Sequence, residues 1–299
     1  MTDSLSSATG AAMCSGRIVE LRRLFSSNGA RALLYLETFG PTASIKDRVA
    51  EALFGAAFNL GQISKDTQIV EATSGSFGVA LARLAAARGL EATIVAPESL
   101  PDARRELLQR FGAKLILTPT SHGMTGAVQK ARAIVAANRN AWSPNLFDNP
   151  ANPSAYEVGT APNVWRETLG GVDAFVAGVG SGGAFVGVSR FLRRKNERIE
   201  RIAVEPSDSA SLSGGIVSRV SSIPGLGAGF VPSIFDRSLP TRIATVTPDE
   251  AADWRERLAR IEGLQVGLST GANVAVIARM ATQREYYGKT LVTLAFSRE

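Results

Sequence analysis

Lys46 lies in the stretch Gly40-Pro41-Thr42-Ala43-Ser44-Ile45-Lys46-Asp47-Arg48. The run before it, Ala32 to Glu37, reads as a strand, and the run after it, Val49 to Leu60, has helical apolar spacing. A lysine at such a junction is held at a fixed point near the positive end of a helix dipole, and both effects favour the neutral amine. The neutral amine is the form that makes a Schiff base with an aldehyde. Most lysines are solvated surface charges, so this one carries no assignment by itself.

Three glycine-rich loops add to it. The strand-like run Gln68 to Ala72 passes into Thr73-Ser74-Gly75-Ser76-Phe77-Gly78 and then a helical pattern. Small hydroxyl and glycine residues at a helix start expose backbone N–H groups that can grip a carboxylate or phosphate. A plain serine or threonine N-cap explains the same loop taken singly. The second loop, Gly178-Val179-Gly180-Ser181-Gly182-Gly183-Ala184, has four glycines in its first six residues and lets backbone approach an anion closely. A dinucleotide fingerprint spaces its third glycine differently, although Glu205 does follow the next strand, as that reading requires. A phosphate cradle for a smaller cofactor fits the tighter spacing. In the third loop, Gly267 to Ala272, Ser269 offers a neutral hydroxyl to a ring nitrogen, or simply caps a helix. The stretch Pro224 to Pro232, which contains Gly227 and Ala228, is non-helical and suited to closing over a ligand.

The elements that must position these loops alternate along the chain. Strands are expected at Gln68 to Ala72, Ala92 to Ala96, Lys114 to Leu117, Ala174 to Val179, Arg201 to Glu205, Arg242 to Val246 and Thr290 to Ala295. Amphipathic helices are expected at Gly78 to Arg88, Ala103 to Phe111, Gly126 to Ala137, Pro248 to Ile261 and Ala272 to Ala281. This alternation implies an α/β protein with mostly parallel sheets covered by helices, and ligands bind such sheets at the carboxyl ends of strands. Phe147 to Tyr156, dense in turn formers, is the best internal break.

At 299 residues the chain has material for two lobes, with an ordinary 45% hydrophobic and 20% charged composition. No apolar run is long enough to span a bilayer, so no membrane role is expected. Met1 to Ser15 lacks a basic start and an apolar core and does not read as a signal peptide. The single cysteine, Cys14, forms no internal disulfide, which points to a reducing cytoplasm. The net charge is +6, but the densest cluster, Arg190, Arg193, Arg194, Lys195, Arg198 and Arg201, alternates with Glu197 and Glu200. That pattern reads as a solvated helix end and turn rather than a nucleic-acid face. The only histidine, His122, lies in a surface-type turn, so neither a histidine triad nor a metal site is expected. Asp47 and Arg48 read as structural first-turn charges, and Arg219 is a candidate contact for an anionic leaving group.

Taken in order from about Gly16 to Ala295, these segments resemble the cysteine synthase and cystathionine β-synthase family of fold-type II pyridoxal-phosphate enzymes. The family pattern N-P-T-G-S-x-K-D-R is similar to Gly40 to Arg48, T-S-G-N-T-G to Thr73 to Gly78, G-T-G-G-T to Gly180 to Ala184, and the serine of G-I-S-S-G to Ser269. Asn149 to Pro153, Glu205-Pro206, Leu212 to Gly215 and Gly225 to Pro232 also fit. The resemblance implies pyridoxal 5'-phosphate as cofactor and a tryptophan synthase β-like fold of two lobes. Residues 1–43 with 155–299 would form the larger, phosphate-binding lobe, and 44–154 the smaller, substrate-loop lobe. It implies Lys46 as Schiff-base lysine and catalytic base. Ser76, Gly180, Ser181, Gly182, Gly183, Ala184 and Ser269 would bind the cofactor. Thr73, Ser74, Gly75, Phe77, Leu146, Gly227 and Ala228 would bind substrate. The implied reaction is β-replacement on an O-activated L-serine through an aminoacrylate, with a small amino-acid substrate and a small nucleophile as partners, in a cytoplasmic homodimer.

The chain departs from the family at several of these positions. Ser76 stands for asparagine, Phe77 for threonine, Leu146 for glutamine and Ala184 for threonine; Gly16 to Leu21 replaces an N-terminal Thr-Pro-Leu signature, and the family pattern continues past Ser297-Arg298-Glu299. A lost charge-assisted hydrogen bond costs about 1.5–3 kcal/mol, so these exchanges point to a specialised substrate, for instance in making a non-protein amino acid. Ile223-Pro224-Gly225-Leu226-Gly227 also looks like enzymes that use O-phosphoserine. Two alternatives stand beside this one: a lyase or dehydratase that stops after elimination, and a catalytically weakened paralogue acting as a partner subunit.

Overall fold

The computed structural model describes residues 16–25, 29–37, 40–215 and 221–298. Cys14 and Arg219 lie outside the described residues. In chain order the elements are β1 (Arg17–Glu20), β2 (Arg31–Leu36), α1 (Lys46–Asn59), β3 (Gln68–Ala72), α2 (Ser76–Ala87), β4 (Ala92–Pro97), α3 (Asp102–Arg110), β5 (Lys114–Thr118), α4 (Gly123–Ala137), β6 (Ala141–Trp142), α5 (Ala151–Ala155), α6 (Ala161–Glu167), β7 (Ala174–Gly178), α7 (Gly183–Lys195), β8 (Glu200–Pro206), β9 (Arg242–Val246), α8 (Pro248–Arg257), α9 (Leu268–Ala281) and β10 (Thr290–Ala295).

The strands form two sheets. The larger runs β1-β2-β10-β7-β8-β9 and the smaller β5-β4-β3-β6. Every pairing is parallel except β1 with β2. Inner strands β2, β7, β8 and β10 are buried along almost their whole length, as strands covered by helices on both faces must be. The edge strands β1, β5 and β9 are half-exposed. One apolar core joins the layers, from Phe54, Phe77 and Ile94 beside the smaller sheet to Phe175, Phe185 and Val292 in the larger.

Two local features differ from the sequence expectations. The turn-rich stretch from Phe147 does not stay open: it enters α5 at Ala151 and continues through a π turn, Tyr156–Thr160, into α6. A π turn inserts one residue into the helical repeat, and such insertions cluster at functional sites. Arg201 does not belong with the solvated arginines. It is 5% exposed on β8, and its guanidinium donates to the carbonyls of Leu239, Glu197 and Ile199. Arg193, Arg194 and Lys195 do occupy the last turn of α7, where cations complement the helix dipole.

Candidate active site

Lys46 is the first residue of α1, and its approach is strapped down by the segment after β10. The Ile45 amide donates to the Phe296 carbonyl at 3.1 Å, Ser44 Oγ donates to the same oxygen at 3.1 Å, and the Arg298 amide donates to the Ala43 carbonyl at 2.9 Å. From the other side the Tyr156 hydroxyl, at the start of the π turn, donates to the Ile45 carbonyl at 3.2 Å. Thr160, at the end of that turn, donates to Glu37, which forms a buried ion pair with Arg48. Asp47 accepts from the backbone and hydroxyl of Thr42, both at 3.0 Å. Asp47 and Arg48 thus serve the geometry of the turn, as their positions in the sequence suggest.

The Lys46 amine lines a cavity of about 300 Å³ and donates to Ser181 Oγ at 3.4 Å. Burial alone lowers its pKa from 10.5 to about 8. A buried lysine so shifted keeps a usable fraction of neutral amine near neutral pH. Ser181 Oγ also accepts from Asn152 Nδ2 at 3.3 Å, and that amide donates to the Leu146 carbonyl at 2.8 Å.

All but one of the sequence-predicted site residues that the structure describes border this cavity. Lys46, Thr73, Ser74, Gly75, Ser76, Phe77, Leu146, Gly180, Ser181, Gly182, Ala184, Gly227, Ala228 and Ser269 line it. Gly183 does not; it lies behind, where an added Cβ would come within 1.9 Å of Asn152 Oδ1. Phe77 is 1% exposed and belongs to the core, so its bulk is taken up there and little of the ring faces the cavity. Glu205 gives no support to a nucleotide site, since its buried carboxylate accepts from the amides of Leu212 and Ser213. His122 is exposed in a short turn before α4, and no cluster of metal ligands occurs among the described residues.

The cavity is shaped to receive anions. Helices α2, α7 and α9 start at it, with Gly75, Gly182 and Gly267 as N-caps, and none has a side-chain cap. α1 and α3 also start at the cavity without a side-chain cap, and α5 and α6 are uncapped away from it; α8, with a capping box between Thr247 and Glu250, is the exception. Helix starts left uncapped around one cavity present free N–H groups and positive dipole ends to a ligand. This answers the capping alternative: neither Ser76 nor Ser269 caps its helix. Ser269 is 6% exposed and its hydroxyl has no hydrogen bond to a described residue. Gly182 takes φ +89°, and an added Cβ on Gly180 would come within 2.0 Å of the Gly225 carbonyl, so both must be glycine for the loop to close as it does.

The pyridoxal-phosphate dependent enzyme family model matches residues 16–297. The chain belongs to this family. Its cysteine synthase branch supplies the relatives. The chain is 39% identical over 277 residues to cysteine synthase 3 of Caenorhabditis elegans, covering 92% of this chain and 82% of that protein. The crystal structure of cysteine synthase from Entamoeba histolytica superposes with a TM-score of 0.90 at 31% identity, covering 100% of this chain and 89% of the other. That of O-ureido-L-serine synthase superposes with a TM-score of 0.92 at 32% identity, covering 99% and 92%. The protein is therefore a pyridoxal-phosphate-dependent enzyme of the cysteine synthase family. The site fits that cofactor: a desolvated lysine for the aldehyde, uncapped helix starts for the phosphate and a neutral hydroxyl for the ring nitrogen.

Two site residues were missed in the sequence. Asn152, 0% exposed, joins Leu146 to Ser181 from within the supposed break. Glu71, an acid inside the apolar run Ile69-Val70-Glu71-Ala72, carried a signal that went unread, because buried carboxylates are rare unless partnered.

Proposed function

We propose that the enzyme catalyses β-replacement on an O-activated L-serine, with O-acetylserine as the first candidate substrate. The observation that carries this reading is the placement of the Lys46 amine where the uncapped N-termini of α2, α7 and α9 border one cavity. Lys46 would hold the cofactor and then take the substrate's Cα proton at Nζ, with Ser181 Oγ accepting a hydrogen bond from the amine between these tasks. Amides at the start of α2, those of Ser76 and Phe77, would hold the substrate carboxylate, while the Gly75 amide donates to Thr73 Oγ1 at 3.2 Å. Amides at the start of α7, near Gly182 to Ala184, would hold the phosphate. When bound, pyridoxal phosphate supplies the electron sink that makes the Cα–H acidic and lets the β-substituent depart. Ser269 would give the ring nitrogen a neutral hydroxyl rather than a carboxylate, which favours elimination over transamination. The two sheets support a division into lobes near residues 43 and 154.

A second reading concerns the leaving group. Arg104 borders the same cavity and donates to Ser76 Oγ at 3.4 Å, where the family pattern has asparagine. A guanidinium at the rim favours an anionic group on the substrate, and so O-phosphoserine. The likeness to O-ureido-L-serine synthase supports a nucleophile other than sulfide as a specialised role.

The test is product analysis with O-acetylserine or O-phosphoserine, each with sulfide or an amine nucleophile. A new β-substituted amino acid is expected. Pyruvate and ammonia formed at the same rate without nucleophile would replace this reading with a lyase. A cofactor band without turnover of either ester would replace it with the catalytically weakened paralogue acting as a partner subunit.

A further inference from the structure

We infer that Glu71 is a positioning residue for the substrate wall of the active-site cavity, latching the backbone of Asn145 and Leu146 to the end of β3. This rests on the proposal that the cavity receives an amino-acid substrate. Glu71 is 2% exposed and lies two residues before Thr73, where β3 gives way to the loop ahead of α2. One carboxylate oxygen accepts from Ser143 Oγ at 2.8 Å and from the Asn145 amide at 3.0 Å. The other accepts from the Leu146 amide at 3.2 Å.

The latched segment is a thin partition. Leu146 and Phe147 border both the active-site cavity and a second cavity of about 240 Å³, which Glu71 also lines. Leu146 packs into the core and Phe147 against Phe230 at 5.0 Å, while the three bonds to Glu71 fix the backbone between the two cavities. Asn145 takes φ +50°, a left-handed turn that asparagine tolerates, and its own side chain donates to the Ser143 carbonyl at 3.2 Å. Beyond Leu146 the connection continues through Asn152 and Ser181 to Lys46, so the carboxylate and the amine belong to one hydrogen-bonded chain.

Only the ionised carboxylate accepts all three donors freely, since a proton occupies one acceptor site. Burial pushes Glu71 up to about 7, the donors Ser143, Leu146 and Asn145 oppose this, and Asp148 adds to the rise. Asp148 and Arg132 are the other charged groups lining the second cavity, and they pair with each other at 2.7 Å. The latch therefore tightens as pH rises through about 7. The stability linkage has the opposite sign. A carboxyl raised above its free value of 4.5 stabilises the fold below that value and loses this contribution as pH rises through about 7.

The test uses Glu71→Gln and Ser143→Ala in the cofactor-loaded enzyme, with O-acetylserine and sulfide, and the same proteins without cofactor for thermal melting. Glu71→Gln should raise the substrate KM at least tenfold and change kcat less than threefold. Its KM should lose the fall with rising pH between 6 and 8 that the unsubstituted enzyme shows. Ser143→Ala, which removes one donor and keeps the carboxylate, should raise KM by a smaller factor with the pH dependence retained. Without cofactor, the unsubstituted protein should lose more melting temperature between pH 6 and 8 than Glu71→Gln. An unchanged KM and pH profile in Glu71→Gln, or equal melting slopes, overturns the inference. A protein inert toward O-acetylserine that still shows the melting difference overturns the substrate assignment instead.

Discussion

The Lys46 amine donates to the Ser181 hydroxyl across 3.4 Å, and this contact joins the first residue of α1 to the glycine loop ahead of α7. The amine sits where charge is penalised, which is why burial brings it from 10.5 down to about 8. Between those two values the unfolded chain binds more protons than the folded one, so this group's linked stability rises with pH. Lys46→Met should therefore raise the melting temperature of the cofactor-free protein at pH 7, and the gain should shrink toward pH 10. Calorimetry at both pH values checks this, and an equal gain at both contradicts it.

The glycine loops separate into positions that demand glycine and positions that tolerate more. Gly180→Ala places a methyl against the Gly225 carbonyl, whereas nothing lies within 4 Å of a Cβ on Gly75. Overpacking of this kind costs about 1–3 kcal/mol. Gly180→Ala should lower the melting temperature and weaken cofactor affinity at least tenfold, as read by absorbance titration. Gly75→Ala should cost about 1 kcal/mol or less, as a change between two residues without a side-chain cap should.

Ala43 offers the opposite case. It adopts φ +52° in the turn before Lys46, at the place where the family pattern carries glycine. A left-handed conformation costs a residue with a Cβ about 1–2 kcal/mol, part of which is offset by the greater freedom of glycine when unfolded. Ala43→Gly should stabilise the protein by about 0.5–1 kcal/mol in urea denaturation. A loss of stability would show that the turn is not held as described.

Much of this arrangement was legible in the sequence, and what was not has a physical cause. β3, β9 and β10 take the bounds that their β-branched runs suggest. α1, α2 and α9 begin earlier than their apolar spacing does, at Lys46, Ser76 and Leu268. Ahead of that spacing they carry the small, polar or charged residues Lys46, Ser76 and Ser269 at the cavity, with Phe77 packed into the core, so no apolar period marks them. The short edge strand β1 and the two-residue β6 are set by pairing with neighbours and leave little pattern of their own. Lys46 stood out because a lysine at a strand-to-helix junction has recognisable chemistry. Asn152 and Glu71 act through backbone groups of residues whose neighbourhood only folding creates.

The ion pair beneath Lys46 gives a pH-dependent prediction. Glu37 is 6% exposed, and burial raises its carboxyl while Arg48 and Thr160 oppose the rise. Removing one partner of a buried pair costs about 3–5 kcal/mol because the other charge is left uncompensated. Arg48→Leu should be destabilised by about that much at pH 8. The loss should be smaller at pH 5, where Glu37 without its partner takes up a proton instead. Denaturation curves at the two pH values check the sign. Adding Glu37→Gln to Arg48→Leu should restore most of the loss at pH 8.

The central claim is that Lys46 holds the cofactor, and borohydride reduction of the enzyme incubated with pyridoxal phosphate, followed by peptide mass analysis, tests it most directly. The account predicts a phosphopyridoxyl mass on the peptide containing Lys46, and neither that label nor a visible absorption band in Lys46→Ala. A label on a different lysine, or an unchanged band in Lys46→Ala, would contradict it.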